Sequence, residues 1–181
     1  MPELVPDPLR SDILYSVNDQ SGIQKSTDGG RTWTAANDGL PTGFVGSLVI
    51  RPYSPETLFI GTSQGIYKSI DGGRHWFPVL PVDGVLLHSL VIDPTNADVV
   101  YAGIVVCPYC STEAIFGLSA CEKGGCSVGG IFRSADGGRT WHLISTGSWS
   151  GGFMALDPAR PNLLYVWTIG GGSVVAIPTG Q

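Results

Sequence analysis

A chain of 181 residues with an apolar share of 43% is long enough for one domain with its own core. Charged residues make up only 14% and the formal charge is -5, so the basic stripe expected of a nucleic-acid binder is missing and nucleic acid is excluded as the expected partner. No run approaches the roughly 18 continuous apolar residues of a membrane-spanning helix, and Met1-Pro2-Glu3 opens without the basic and apolar regions of a signal peptide.

Glycine (26 residues) and proline (13) supply frequent chain reversals, which favours many short strands over helices. The first unit opens with Leu4-Val5-Pro6-Asp7-Pro8, continues with the apolar run Ile13 to Val17 and reaches Ser26-Thr27-Asp28-Gly29-Gly30-Arg31-Thr32-Trp33. The second repeats this order with Leu48-Val49-Ile50-Arg51-Pro52, Thr57 to Ile60 and Ser69-Ile70-Asp71-Gly72-Gly73-Arg74-His75-Trp76. The third has Leu90-Val91-Ile92-Asp93-Pro94, Val99 to Ala102 and Ser134-Ala135-Asp136-Gly137-Gly138-Arg139-Thr140-Trp141. The fourth keeps Ala155-Leu156-Asp157-Pro158 and Leu163 to Trp167, then a strand over Ser173 to Ile177 without the eight-residue motif. Only His75 breaks the Thr-Trp ending of that motif.

A period near 40 residues is the signature of propellers and related arrays. The second unit reads as strands A (Gly46 to Ile50), B (Thr57 to Gly61), C (Gly65 to Ser69) and D (His75 to Val79), a four-stranded antiparallel meander. The expected fold is therefore all-β: a partial β-propeller of about four blades in a single domain. Its repeats cover about 3–45, 46–87, 88–152 and 153–181, the last incomplete. Asp28 and Asp71 stand 43 residues apart but Asp71 and Asp136 stand 65 apart, so the third repeat carries about 22 extra residues, a cysteine-rich insert over 106–129. An open array leaves its terminal sheets uncovered, which implies either a fragment of a longer propeller or completion by a partner copy.

The recurring Ser-x-Asp-x-Gly-x-Thr-Trp pattern suits a hairpin loop between strands C and D. The carboxylate accepts hydrogen bonds from loop amides, the glycines allow positive φ, and the tryptophan anchors the exit strand. The motif resembles the Asp box, or bacterial neuraminidase repeat, of sialidases, sortilin-type receptors, family 74 xyloglucan hydrolases and photosystem II assembly-factor-like propellers. The wider pattern, with Leu-x-Ile-Asp-Pro and Leu-Tyr-x-Gly segments ahead of the box, is most similar to the last two groups. This resemblance implies that Ser26, Asp28, Gly30, Trp33, Ser69, Asp71, Gly73, Trp76, Ser134, Asp136, Gly138 and Trp141 are structural and stand away from the active face.

Strand alternation places A–B and C–D turns on one rim and B–C and D–A connections on the other. Asp7, Asp12, Glu56, Asp93, Asp98 and Asp157 then share the Asp-box rim, leaving Asp19, Asp38, Asp83, Glu113 and Glu122 for the opposite face, with Glu3 in the truncated first strand. A glycosidase needs a carboxylate pair at a defined separation. Asp38 and Asp83, at equivalent positions of neighbouring repeats, are weak candidates for it, and each also fits an Asp-Gly turn. Sialidase chemistry fits worse: Arg31, Arg74 and Arg139 lie inside boxes, so no arginine cluster is left for a substrate carboxylate.

Cys107, Cys110, Cys121 and Cys126 fall in the insert with spacing C-x2-C-x10-C-x4-C. Two disulfides stapling a small loop are the favoured reading, with a zinc site and free thiols as the alternatives. No other cofactor is expected. Cys107-Pro108-Tyr109-Cys110 matches a glutaredoxin tetrapeptide but lacks the helix N-terminus that its chemistry needs. Tyr109, Phe116 and Trp149 either pack the insert down or are the binding residues, on the face opposite the boxes, where aromatic rings stack on sugars or partner side chains. His75, His88 and His142 read as packing or edge residues.

The function expected is a non-catalytic scaffold for protein or glycan binding. The alternatives are a fragment of a family 74- or sialidase-like glycoside hydrolase and an assembly factor docking on a membrane complex. Disulfides and the family style point to an extracellular or cell-surface location.

Overall fold

The computed structural model describes residues 3–18, 21–43, 45–82, 85–106, 128–147, 153–157, 159–167 and 174–178. They form strands that pair only with their neighbours in sequence, antiparallel throughout, giving three four-stranded meanders and one of three strands. Blade 1 contains β1 (Glu3–Pro6), β2 (Leu14–Asn18), β3 (Gly22–Ser26) and β4 (Thr34–Ala35). Blade 2 contains β5 (Val45–Ile50), β6 (Leu58–Thr62), β7 (Gly65–Ser69) and β8 (Phe77–Pro81). Blade 3 contains β9 (Val85–Ile92), β10 (Val100–Val106), β11 (Val128–Ser134) and β12 (His142–Gly147). Blade 4 contains β13 (Met154–Asp157), β14 (Arg160–Trp167) and β15 (Val174–Pro178).

Two elements depart from the reading of the sequence. Strand D of blade 2 starts at Phe77, two residues later than expected, because the His75 amide is taken by Asp71 and the Trp76 amide by the Asp38 carbonyl. Neither amide is left for the ladder. In blade 1 strand D is only Thr34–Ala35. There Asn37 folds back, its Oδ1 accepting from the Ile23 amide at 2.7 Å, so a side chain replaces the next ladder bond and the chain leaves the sheet.

The core forms as three layers, each between consecutive blades. Tyr15, Val17, Ile23 and Ala36 of blade 1 and its exit segment meet Leu48, Leu58, Ile60 and Trp76 of blade 2. Phe59, Ile66 and Leu80 then meet Leu90, Val100, Ala102 and Phe132, and Val99, Tyr101 and Ile131 meet Met154, Leu164 and Val166. A blade inside the array is thus covered on both faces, which is why β6 reads Leu-Phe-Ile-Gly-Thr and is buried along its whole length. Leu58 and Ile60 serve one layer and Phe59 the next, as the two-residue period of a strand requires.

Candidate functional site

The three Asp boxes share one geometry. The serine at the end of the third strand donates its hydroxyl to the aspartate Oδ1 at 2.8 Å in each box. The same Oγ accepts the amide of the second glycine at 2.9, 2.9 and 2.8 Å. Both box glycines hold positive φ in every copy, for example 71° and 86° at Gly29 and Gly30, a region that costs residues with a Cβ. Asp28 Oδ1 accepts the Thr32 amide at 2.9 Å and Oδ2 the Thr32 hydroxyl at 2.6 Å, and Asp136 does the same with Thr140.

The Thr32 hydroxyl and amide hold the Asp28 carboxyl down at about 2. Asp136 is likewise depressed, first by Thr140. For Asp71 partial desolvation is the largest influence and pushes upward, but the His75 amide and the Ser69 hydroxyl outweigh it and leave that carboxyl too below its ordinary value. Carboxylates held ionised in this way cannot serve as general acids near neutral pH.

Each box is also a joint. The first box glycine donates its amide to the A–B turn of its own blade, Gly29 to Asp12, Gly72 to Glu56 and Gly137 to Asp98, at 2.8–2.9 Å. In the second and third boxes the carbonyl of that glycine accepts from the preceding blade: Lys25 Nζ reaches Gly72 O at 2.8 Å and Lys68 Nζ reaches Gly137 O at 2.7 Å. Both ammonium groups sit over an aromatic ring of their own blade, Lys25 over Tyr15 at 5.3 Å and Lys68 over Phe59 at 5.4 Å. Ion pairs join successive A–B turns on the same rim, Arg10 with Glu56 at 3.4 Å and Arg51 with Asp98 at 2.6 Å.

Asp38 belongs with this rim. Its Oδ2 lies 2.9 Å from Nδ1 of His75, inside the second box, and both side chains are exposed. This corrects the assignment of Asp38 to the opposite face. The alternation argument assumed a full strand D, whereas β4 ends after two residues and its exit segment runs along the box of blade 2. Its supposed partner Asp83, the aromatic residues Tyr109, Phe116 and Trp149, and all four cysteines lie outside the described residues.

Beside Asp38 an open groove of about 340 Å³ separates the first two boxes, lined by Lys25, Thr27, Thr34, Asn37, Asp38 and Arg74. Desolvation lowers the Lys25 pKa, and the nearby Arg10 and Arg74 lower it further. The groove therefore offers hydroxyls, a guanidinium and a carboxylate, chemistry suited to hydrogen bonding a hydroxyl-rich ligand. Nothing in the sequence singled it out, since it arises where two repeats meet. Among the described residues no cluster of three or more metal-ligating side chains occurs, and no helix is long and apolar enough to cross a membrane.

The model of the BNR/Asp-box repeat matches residues 24–35 and 132–143. The chain carries BNR/Asp-box repeats. The box in which His75 replaces threonine lies outside both matched segments. No curated protein matches the chain. Among solved structures, an ancestral GH74 enzyme, from glycoside hydrolase family 74, superposes with a TM-score of 0.71 at 24% identity, covering 91% of this chain and 21% of its own. The GH74 enzyme of Niastella koreensis gives 0.57 at 21% identity, covering 94% and 35%. An auxiliary nutrient binding protein from Bacteroides thetaiotaomicron gives 0.63 at 13% identity, covering 97% and 37%. The chain thus spans between 21% and 37% of the length of these proteins. The Asp-box chain has the fold of a partial β-propeller.

Proposed function

We propose that the chain is a non-catalytic propeller scaffold whose ligand is a glycan. The observation carrying this reading is the open polar groove between the first two Asp boxes, with Arg74, Asp38 and threonine hydroxyls at its wall. The boxed carboxylates that flank it are engaged within their own loops, which favours recognition over acid–base chemistry. Likeness to a nutrient binding protein and to GH74 enzymes supports carbohydrate as the ligand class. Calorimetric titration with xyloglucan oligosaccharides is the test, with sialyl conjugates as a second ligand. Saturable binding that weakens at least about tenfold in Arg74→Ala is expected, a loss of ~1.4 kcal/mol. Unchanged binding in that variant would remove the groove from the proposal.

A second reading, part of a family 74-like hydrolase, is favoured by the superposition with the ancestral GH74 enzyme. Release of reducing sugar from xyloglucan by this chain, abolished by Asp38→Asn, would replace the scaffold reading with this one. An extracellular or cell-surface location accompanies the proposal, supported by the disulfide reading of Cys107, Cys110, Cys121 and Cys126 and by likeness to the extracellular domain of a putative one-component system of Bacteroides thetaiotaomicron.

A further inference from the structure

The joint between blades 1 and 2 can be compared position by position with the joint between blades 2 and 3. Each has a lysine crossing to the next box and an arginine after that box's second glycine, Lys25 with Arg74 and Lys68 with Arg139. The cations therefore belong to the repeat. Their surroundings do not, because Thr27 and Thr34 of blade 1 stand where blade 2 has Ile70 and Phe77, so hydroxyls take the place of apolar groups. Strand length adds to the difference: β4 ends at Ala35 while β8 runs on to Pro81, and the early exit from blade 1 carries Asp38 into the wall of the groove that Arg74 also lines.

Arg74 is used differently from its counterpart in the first box. There Arg31 donates to the Asp28 carbonyl at 2.9 Å and closes its own loop. The guanidinium of Arg74, exposed at the groove wall, makes no hydrogen bond or ion pair among the described residues, and the Thr27 hydroxyl is likewise unengaged. Lys25 gives one of its three N–H groups to the Gly72 carbonyl. Desolvation, followed by the charges of Arg10 and Arg74, lowers the pKa of Lys25, so Arg74 and Lys25 repel one another and a negative group between them relieves that repulsion. The carboxylate of the wall, Asp38, turns Oδ2 to Nδ1 of His75 at 2.9 Å, and its Oδ1 makes no hydrogen bond among the described residues.

We propose that this groove takes a saccharide bearing a carboxylate, its acid group on Arg74 and Lys25 and its ring hydroxyls on Asp38 and the threonines. The inference rests on the glycan reading of the groove and names the class of sugar. A guanidinium meets a carboxylate with two parallel, charge-assisted hydrogen bonds, a match that a neutral sugar does not offer. Asp38 then selects for hydroxyls beside the acid group, which a simple carboxylic acid lacks.

Calorimetric titration with oligogalacturonate, with its methyl ester, which keeps the skeleton and removes the charge, and with xyloglucan oligosaccharides is the test. The acid form should bind at least about tenfold more tightly than the ester, and the preference should shrink as salt is raised. Arg74→Gln, at an exposed side chain without partners, should keep the wild-type circular dichroism and reduce the preference to about threefold or less. Equal affinity for acid and ester, binding of xyloglucan without binding of the galacturonide, or a preference that persists in Arg74→Gln would overturn this inference and leave a glycan-binding groove in place. Binding of none of the three would remove the glycan reading together with it.

Discussion

In the first Asp box Thr32 closes the loop with both amide and hydroxyl on Asp28, whereas in the second His75 gives Asp71 only its amide and turns its ring toward Asp38, in the segment leaving blade 1. The loop itself is unchanged: the serine bonds and glycine conformations agree between the two within about 0.1 Å and a few degrees. The difference teaches that serine, aspartate and the glycines set the loop, while the position before the tryptophan is free to serve a contact between blades. Surroundings differ as well, since blade 1 encloses the second box and nothing among the described residues encloses the first.

Enclosure should separate the two tryptophans most strongly. Trp76→Ala empties a fully buried site and should cost about 3–5 kcal/mol in chemical denaturation, whereas Trp33→Ala, at a partly exposed ring, should cost about 1 kcal/mol or less in the single chain. Equal losses would show that burial between blades does not distinguish them. A smaller effect separates Trp76 from the third tryptophan. Trp76→Phe strands the Ala36 carbonyl and should cost about 1–3 kcal/mol. The indole N–H of Trp141 has no partner among the described residues, so Trp141→Phe should be nearly neutral in the same measurement.

The smallest effect concerns acid. Asp28 and Asp71 have folded pKa values below the ordinary 3.8, so each contributes stability that is present above that value and lost as pH falls. For Asp28 the loss runs from about 3.8 down to about 2. In carboxyl-detected NMR titrations, Thr32→Val should raise the Asp28 pKa toward its ordinary value. His75→Thr, which supplies the missing hydroxyl, should lower that of Asp71. An unmoved Asp28 would mean that the threonine hydroxyl is not the main cause of its depression.

The boxes were legible in the sequence because everything that forms them lies within eight consecutive residues. The order of strands was legible too, since apolar runs such as Leu58 to Ile60 are bounded by turn residues. Asp38 was misplaced because its position depends on the length of β4, and that length is set by Asn37 replacing a ladder bond, a choice no local propensity announces. The start of β8 was shifted for a similar reason: a carboxylate and a carbonyl distant in sequence capture the amides of His75 and Trp76. The groove beside Arg74 was invisible for another, as its walls belong to two repeats and neither repeat contains it.

The lysine that crosses from one blade to the next seeks only a main-chain oxygen, Lys25 at Gly72 and Lys68 at Gly137. Every box presents that oxygen whatever its side chains, so a gene segment encoding one blade could be duplicated in tandem and the new copy would find its attachment point already made. Lineages built from such parts can change their number of units by unequal recombination without first evolving a matching surface.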